Sequence, residues 1–413
     1  MNSESASIAI EAPSPARLSW SARRLVALFQ RLRYGRIELG VDGQRVRLDG
    51  SGDGPAARIS IQRPGRLLRR LFWRGDLGFA EGYIDGDWTS DDPAALLYLL
   101  AVNLEAYEQG DRRGPAARVL SALQHRLNRN TRGGSRRNIA AHYDLGNDFY
   151  ARWLDAGMTY SSALFDGAPD CTDLDAAQQR KYARMLALTG AKPGETILEI
   201  GCGWGAFAEY AARRGHRVIG LTLSREQLAY ARDRIARAGL AGLVDLRLCD
   251  YRDFDGHVDH IVSIEMFEAV GREYWHTYFA TLQRCLRPGG RAALQVITID
   301  ESLFDAYVAN PGGFIQRYIF PGGMLPTKSG LGELARQAGL QAGARHAFGI
   351  DYAATLAHWH TRFNTQTTWL DAHGYDDRFR RMWRYYLAFC EAGFRAGQID
   401  VVQCALQKPQ AAG

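Results

Sequence analysis

A glycine-rich turn that follows an apolar strand is the segment most suggestive of chemistry. Glu199 and Ile200 end the strand, and Gly201, Gly203 and Gly205 lead into a helical segment. Glycines let a backbone approach a ligand closely, and free amide groups at a helix start can face it. The acidic residue before the first glycine and the missing phosphate-binding third turn favour a nucleoside with a carboxylate over a dinucleotide. We therefore expect Glu199, Gly201 and Gly203 to bind S-adenosylmethionine.

A second polar segment is expected to contribute to this cofactor site. The second strand of the same region ends near Thr222, Leu223 and Ser224, and Gln227 lies in the helix that follows. Their hydroxyl and amide groups can bind ribose hydroxyls through neutral hydrogen bonds. Ser224 could instead cap the helix, with Gln227 completing a capping box. The two roles are compatible with each other.

A third polar segment, Asp250, Tyr251 and Arg252, stands at the end of the next strand. Ligands of parallel sheets bind at the carboxyl ends of the strands. We therefore expect these three residues to bracket the adenine ring.

Strands and helices alternate after residue 170, and this alternation would position the three segments. Apolar periodicity predicts strands at 196–200, 216–221, 244–248, 258–263 and 291–298, and helices at 173–188, 204–214, 224–237 and 272–286. Short strands that alternate with helices predict an α/β fold with a mostly parallel sheet. We expect a Rossmann-like class I methyltransferase domain with a seven-stranded sheet.

The amino-terminal part of the chain has a different pattern. Apolar residues alternate between residues 37 and 61 around glycine-containing turns, and a helix is expected from Asp92. These patterns predict a small antiparallel sheet within a smaller α+β domain. The predicted organisation is a disordered tail at 1–20, this domain at 21–110, a basic linker at 111–137 and the methyltransferase domain at 138–408.

Composition is that of an ordinary globular protein. Of 413 residues, 46% are hydrophobic and 23% are charged, and no apolar run approaches the roughly 20 residues that span a bilayer. The six cysteines have no paired spacing, which favours neither a disulfide framework nor a metal site. The first residues lack a secretory signal pattern, so we expect a cytoplasmic protein.

Arginines surround an apolar stripe near the amino terminus. The segment 17–36 predicts a basic amphipathic helix whose apolar side contains Leu25, Val26, Leu28, Phe29 and Leu32. Such a helix can be a solvated face of a domain, or it can contact an anionic membrane or a nucleic acid backbone. The sequence leaves these interpretations open.

Several longer motifs resemble those of the cyclopropane-fatty-acyl-phospholipid synthases over residues 35–407. The matching runs are GFAEGYIDGDW from Gly78, HYDLGNDFY from His142, MTYSS from Met158, EMFEAVG from Glu265, FIQRYIFPGG from Phe314 and YYLAFC from Tyr385. The resemblance implies that the methyl group of S-adenosylmethionine is transferred to a cis double bond of an acyl chain, which closes to a cyclopropane. The run from Gly78 lies in a module that the related mycolic acid cyclopropane synthases lack. A membrane phospholipid substrate is therefore implied. Peripheral contact with the inner face of an anionic membrane is expected with such a substrate, and the relatives suggest a homodimer.

The resemblance also implies a bound bicarbonate as the base, held by a cysteine, a glutamate, a histidine and a tyrosine. The glutamate corresponds to Glu268 and the tyrosine to Tyr318. Ser162 stands in place of the cysteine and Gln295 in place of the histidine, and neither can carry the positive charge of a histidine. Glu265 stands where the best-known members have glycine, and it adds a carboxylate.

Glu265 and Glu268 suggest a different fate for the methylated cation. If the segment from Glu265 to Glu268 forms one helical turn, both carboxylates face one side, and a mutually raised pKa could make one of them a base. The cation could close to a ring, or a hydride shift and proton loss could give a methyl-branched, methylene or methylated-diene lipid. Both outcomes remain hypotheses.

Other residues and classes of function complete the expectations. Tyr160 and Ser161 match cofactor contacts of the family, and Cys390 matches a cysteine proposed there as a nucleophile, although buried free cysteines are common. A lipid-binding homologue without catalysis is suggested by Ser162 and Gln295. Methylation of nucleic acid is disfavoured, because no Asn-Pro-Pro-Tyr-like tetrapeptide follows the fourth strand.

Overall fold

The chain forms two compact units. The computed structural model describes residues 8–10, 18–108, 145–165, 173–310 and 312–410. The first unit comprises residues 1–123, 312–314 and 363–398, and the second comprises residues 124–311, 315–362 and 399–413, as far as they are described. The predicted linker at 111–137 and His142 lie outside the described residues.

The first unit begins with a five-stranded sheet. Its strands are β1 (Ile8–Ile10), β2 (Tyr34–Val41), β3 (Gln44–Asp49), β4 (Gly52–Ile61) and β5 (Trp88–Thr89), in the spatial order β1-β3-β2-β4-β5. β2 pairs with β3 in antiparallel and with β4 in parallel. The prediction of an antiparallel sheet was therefore wrong for β2 and β4, because β1 occupies the outer edge of β3 and β4 pairs with the free edge of β2. β1 also corrects the prediction of disorder at 1–20 for its three residues.

Four helices of the first unit accompany this sheet: α1 (Trp20–Phe29), α2 (Pro64–Ile84), α3 (Pro93–Val102) and α4 (Leu104–Glu108). The Asp92 side chain accepts a hydrogen bond from the Ala95 amide, which caps α3 as expected at that position. The sequence analysis did not predict α2, which kinks at Gly75 (φ 52°). Its glycines and the charged stretch that precedes Gly75 concealed the helical periodicity.

The second unit is built on a seven-stranded sheet. Its strands are β6 (Thr196–Ile200), β7 (Arg217–Thr222), β8 (Val244–Leu248), β9 (Val258–Ile264), β10 (Leu286–Ile299), β11 (Gln341–Ala347) and β12 (Ile399–Gln407), in the order β11-β12-β10-β9-β6-β7-β8. Within this sheet β12 alone runs antiparallel to its neighbours. The α/β fold with a mostly parallel seven-stranded sheet is confirmed.

Helices cover both faces of this sheet. They are α5 (Asn147–Ala151), α6 (Leu174–Thr189), α7 (Ala206–Ala212), α8 (Arg225–Arg237), α9 (Trp275–Cys285), α10 (Glu301–Ala309), α11 (Phe314–Tyr318), α12 (Lys328–Gln337) and α13 (Gly349–Asn364). Leu198 of β6 packs in one apolar cluster with Phe279, and the neighbouring Ile197 packs in another with Phe207. Both faces of the strand are thus buried, as its continuous apolar run requires.

Two more helices, α14 (Thr367–Ala372) and α15 (Asp377–Arg395), belong to the first unit. α15 packs along α3 and α2, and the Tyr385 ring lies 5.7 Å from that of Tyr83. The sequence prediction placed residues 363–398 in the methyltransferase domain, whereas they pack here with the first unit. None of the described helices is long and apolar enough to cross a membrane.

Asn103 ties the end of α3 to the start of β2. Its Oδ1 accepts hydrogen bonds from the amides of Arg33 and Tyr34, at 2.8 and 2.9 Å. Its Nδ2 donates to the carbonyls of Tyr34 and Leu99, at 3.0 and 2.8 Å. With 2% of the residue exposed, water cannot replace these bonds.

We expect Asn103→Ala to destabilise the first unit by about 2–3 kcal/mol, because four backbone groups lose a partner in a buried place. Urea unfolding followed by circular dichroism measures the change. Asn310→Ala, at a partly exposed position at the end of α10, is the control and should change the free energy of unfolding by less than about 0.5 kcal/mol. Equal effects of the two substitutions would contradict this role of Asn103.

Candidate active site

The glycine-rich turn joins β6 to α7 at the carboxyl edge of the sheet. Gly201, Gly203 and Gly205 have φ values of 86°, 51° and 82°, a left-handed backbone that favours glycine. A Cβ on Gly201 would lie 2.9 Å from Cγ of Met266, and one on Gly205 would lie 3.0 Å from Cβ of Ala231. Both the backbone and the available space therefore require glycine at these two positions.

Glu199 lies directly before this turn and is 4% exposed. Its Oε2 atom has no hydrogen-bond partner among the described residues. Burial raises the pKa of Glu199 well above its usual value, and the Lys181 ammonium and the Ala208 amide oppose that shift. A buried acceptor without a partner is the place for a ligand's donor. The site therefore fits the hydroxyl or ammonium groups of a ligand such as S-adenosylmethionine.

Thr222, Ser224 and Gln227 form one hydrogen-bonded group at the end of β7. Ser224 Oγ accepts from the Gln227 amide and caps α8. The Thr222 hydroxyl accepts from the Ser224 amide and donates to Oε1 of Gln227. The cap is as expected, but Thr222 rather than the Gln227 side chain satisfies the Ser224 amide. The side-chain Nε2 atom of Gln227 takes no part in this group, and the neighbouring Leu223 is partly exposed.

Asp250 and Arg252 form an ion pair after β8. The Arg252 Nη2 and Nε atoms donate to the two Asp250 carboxylate oxygens at 2.6 and 2.9 Å. The guanidinium carbon also lies 5.6 Å from the ring centre of Tyr251 and 5.2 Å from that of Tyr274. The ion pair holds the side chains of Asp250 and Arg252 in place at the sheet edge, where the adenine ring was expected to bind.

Aromatic rings of the second unit surround Tyr160. The rings of Tyr150, Trp153 and Trp359 lie 5.5, 5.5 and 5.4 Å from its ring. Tyr150 also lies 5.1 Å from Trp204 of the glycine-rich turn. This group, the Tyr160 cluster, offers the negative faces that stabilise a nearby cation.

The Glu265 carboxylate is held by three donors. The Ser162 amide and Gln295 Nε2 donate to its Oε1 at 2.8 and 2.7 Å. The Tyr352 hydroxyl donates to its Oε2 at 2.6 Å, and Tyr352 lies 6.1 Å from Trp359 of the Tyr160 cluster. Burial raises the pKa of Glu265, and these donors together with the charge of Lys181 oppose the shift.

Glu268 presents a second buried carboxyl group. Its Oε1 accepts a hydrogen bond from the Ile297 amide, and its buried Oε2 has no partner among the described residues. Burial, followed by repulsion from Glu265, raises the pKa of Glu268 to about 8. The premise of one helical turn was wrong, since Glu265 has a φ of 50°. The raised pKa values of both carboxyls nevertheless agree with the hypothesis of an interacting pair.

Ser162 and Gln295 direct their hydrogen-bond donors toward groups of the protein. Gln295 Nε2 donates to Glu265 and to the Ser162 carbonyl, and Gln295 Oε1 accepts from Gln403. The Ser162 hydroxyl donates to the carbonyl of Ala163. The side-chain donors of these two residues are thus engaged, and two carboxyl groups already lie there. The described residues do not fit a further anion at this place.

Tyr318 and Cys390 are placed in different units. Tyr318 ends α11 in the second unit, and Met324 of the loop after it donates its amide to the Glu268 carbonyl. Cys390 lies on α15 in the first unit, where burial raises the pKa of its thiol to about 12. A thiol with that pKa is a poor nucleophile at neutral pH. The catalytic roles assigned to these residues from the sequence stay predictions.

Lys181 is a charged residue of the site that the sequence interpretation missed. It is fully buried on α6, and its Nζ donates to the Ser161 hydroxyl at 2.7 Å. Its charge interacts with Glu265, Asp155 and Glu199, while burial lowers its pKa to about 8. Gln178 and Lys181 follow the helical spacing of the buried residues on α6. Polar residues at apolar positions of a helix were the signal that could have revealed it.

We expect Lys181→Met to weaken binding of S-adenosylmethionine about tenfold at neutral pH, because Glu199 and Glu265 lose a cation and take up protons more readily. Above pH 8 Lys181 itself loses its charge, so the difference between wild type and variant should narrow. Calorimetric titration on both sides of pH 8 measures this. The exposed Lys192, changed to Met, is the control. A deficit that is the same at both pH values would contradict an electrostatic role.

Comparisons with known proteins agree with this geometry. The family described as mycolic acid cyclopropane synthetase matches residues 130–404. A tuberculostearic acid methyltransferase of Mycobacterium tuberculosis is 41% identical over 364 residues, which are 86% of this chain and 84% of that protein. The cyclopropane-fatty-acyl-phospholipid synthase of Escherichia coli K12 is 35% identical over 365 residues, which are 87% of this chain and 89% of that protein.

A solved structure extends the comparison to the cofactor. The mycolic acid cyclopropane synthase CmaA1, complexed with SAH and CTAB, superposes with a TM-score of 0.62 at 33% identity, covering 66% of this chain and 98% of that one. SAH is the product that S-adenosylmethionine leaves after methyl transfer. The chain therefore belongs to the mycolic acid cyclopropane synthetase family and is an S-adenosylmethionine-dependent methyltransferase of the class I fold.

Proposed function

We propose that the enzyme methylates the cis double bond of an unsaturated phospholipid acyl chain, and that Glu265 accepts the proton that the product must lose. One observation carries the proposal. The Ser162 amide and Gln295 Nε2 both donate to the Glu265 carboxylate. A side-chain carboxylate thus accepts hydrogen bonds from two of the four residues that correspond to the bicarbonate ligands of the family. S-adenosylmethionine supplies the methyl group as a cation equivalent.

The reaction leaves a positive charge on the acyl chain beside the new methyl group. The electron pair of the alkene forms the new carbon–carbon bond, and the adjacent carbon becomes cationic. The rings of the Tyr160 cluster and the negative charge of the Glu265 carboxylate stabilise a cation. The same aromatic surface is apolar, which suits an acyl chain.

The hydrogen bonds of Glu265 favour a methylene product. These hydrogen bonds oppose the rise of the Glu265 pKa, so the carboxylate is a weaker base than burial alone would make it. The secondary cation then persists long enough for the hydrogen on the methylated carbon to shift as a hydride, which moves the charge to the tertiary carbon. Glu265 takes a proton from the methyl group, and the C–H pair forms the exocyclic double bond. The similarity to the tuberculostearic acid methyltransferase, 41% identical, supports C-methylation without ring closure.

Ring closure is the second candidate reaction. It requires the same proton acceptor but no hydride shift. The presence of Glu268 and Tyr318, at the positions that match the cyclopropane-forming relatives, favours it. The similarity to the Escherichia coli synthase, whose name specifies a phospholipid substrate and which matches 87% of this chain, supports a phospholipid in both cases.

The purified enzyme with unsaturated phospholipid and S-adenosylmethionine should give lipid heavier by one methylene group. Proton NMR separates an exocyclic methylene from a ring methylene, and we expect the former. Glu265→Gln should lower kcat about 100-fold or more, because an amide cannot accept the proton, while cofactor affinity changes little. Glu301→Gln, on exposed α10, is the control. Unchanged lipid with the wild type would refute the proposal and favour a binding protein without catalysis.

Glu265→Gly provides a sharper test of the bicarbonate replacement. The φ of 50° at this position suits glycine, so the variant should fold, and it frees the Ser162 and Gln295 donors. Added bicarbonate should raise its turnover about tenfold or more by restoring an anion there, and it should not raise that of Glu265→Gln. The wild type should be insensitive to removal of bicarbonate. Loss of wild-type activity on degassing would overturn the assignment.

A further inference from the structure

Two large aromatic side chains project from α2 into solvent. Phe72 is 79% exposed and Trp73 is 68% exposed. Their rings lie 5.2 Å apart in an edge-to-face arrangement. They stand directly before the kink at Gly75. An exposed apolar patch formed by adjacent side chains, unlike a single exposed residue, commonly marks an interaction surface.

Arg69 shares the helix face of these rings. It lies three residues before Phe72 and four before Trp73, which is the spacing of neighbours on a helix surface. Arg69 is exposed and makes no hydrogen bond or ion pair with any described residue. This face of α2 therefore combines the two exposed aromatic rings with the guanidinium of Arg69, which lies one helical turn earlier.

Two arginines at the amino-terminal end of α2 add positive charge toward solvent. Arg63 and Arg66 pair with Asp87, and Arg66 also pairs with Asp85. The two arginine side chains are 54% and 38% exposed, whereas that of Asp87 is fully buried and that of Asp85 is 23% exposed. The carboxylates thus lie behind the guanidinium groups. An approaching anion meets positive charge first.

A similar pair occurs on the neighbouring helix α1, which packs against α2 in the same unit. Trp20 is 61% exposed, and the Arg24 guanidinium carbon lies 5.4 Å from its ring centre. Leu25, Val26 and Phe29 are buried on the other side of α1. The apolar stripe predicted from the sequence is thus used for packing, and the arginines and Trp20 face outward.

We propose that Arg69, Phe72 and Trp73 of α2, with Trp20 and Arg24 of α1, form a docking face for a bilayer that contains anionic phospholipid. This proposal rests on the proposed lipid substrate. Tryptophan and arginine are the residues that settle at the level of lipid headgroups, where the ring meets the acyl boundary and the guanidinium binds phosphate. The rings of Phe72 and Trp73 insert into the bilayer surface, and the arginines make the protein prefer bilayers with negatively charged lipids.

Two other occupants fit the docking face less well. A stable interface between two copies buries about 800 Å² on each partner, which five side chains on two helices do not provide. A nucleic acid would bind the arginines, and its bases could stack on the aromatic rings. Its charged backbone gains nothing, however, from the exposed apolar surface of Phe72 and Trp73. Both occupants are distinguished by the experiment below.

The test is co-sedimentation of the full chain with vesicles of phosphatidylcholine, with or without phosphatidylglycerol. We expect binding only with phosphatidylglycerol. The double change Phe72→Ser with Trp73→Ser should weaken it about tenfold or more, and Arg69→Glu about fivefold or more, with a weaker dependence on salt. The controls are Ile350→Ser and Arg217→Glu, at similarly exposed places in the second unit. Equal losses in variants and controls, or no loss, would overturn the docking face.

Activity separates this proposal from the proposed function. Methyl transfer to phospholipid in neutral detergent micelles should be the same in wild type and docking variants, and transfer to anionic vesicles should fall with binding. Vesicle binding that depends on these residues without any methyl transfer would refute the function and keep the docking face. Dissociation of an oligomer in the variants, measured by light scattering, would assign the face to a second copy. Tighter binding of the wild type to RNA than to vesicles would also overturn the proposal.

Discussion

The buried charges around Lys181 are the constraint on which the site depends. One fully buried ammonium group interacts with the carboxyls of Asp155, Glu199 and Glu265. Burial of isolated ions costs many kcal/mol, and it is tolerated only when opposite charges and hydrogen bonds compensate for lost water. Asp155 is compensated by the amides of Gly157 and Thr159. Glu199 and Glu265 interact with the same cation, Lys181, which therefore links the expected cofactor contact to the proposed proton acceptor.

Much of the second unit follows from local sequence pattern. The strand of Thr196–Ile200 and the glycines after it were predictable, because a continuous apolar run and an obligatory left-handed turn are properties of neighbouring residues. The cap at Ser224 is equally local. The position of Asp250 at the sheet edge follows from strand order, but its pairing with Arg252 depends on side-chain conformation that a sequence does not specify.

Long-range packing accounts for what the sequence did not reveal. The helix α15 reads as the end of a methyltransferase domain, yet it packs with α2 and α3 of the first unit, several hundred residues earlier in the chain. The parallel pairing of β2 with β4 depends on which sheet edge is free. Glu265 was expected on a helical turn with Glu268, but Ser162, Gln295 and Tyr352 come from distant parts of the chain and fix its carboxylate instead. The resemblance to the family identified the positions of Glu265 and Glu268 in the sequence, whereas their hydrogen-bond partners are visible only in the folded structure.

The left-handed backbone at Glu265 has an evolutionary consequence. A glutamate and a glycine codon can differ by a single base, and this position accepts glycine without any change of main chain, since its φ is 50°. If the Glu265 carboxylate serves as the proton acceptor, then a single point mutation converts an enzyme that needs bicarbonate into one that does not.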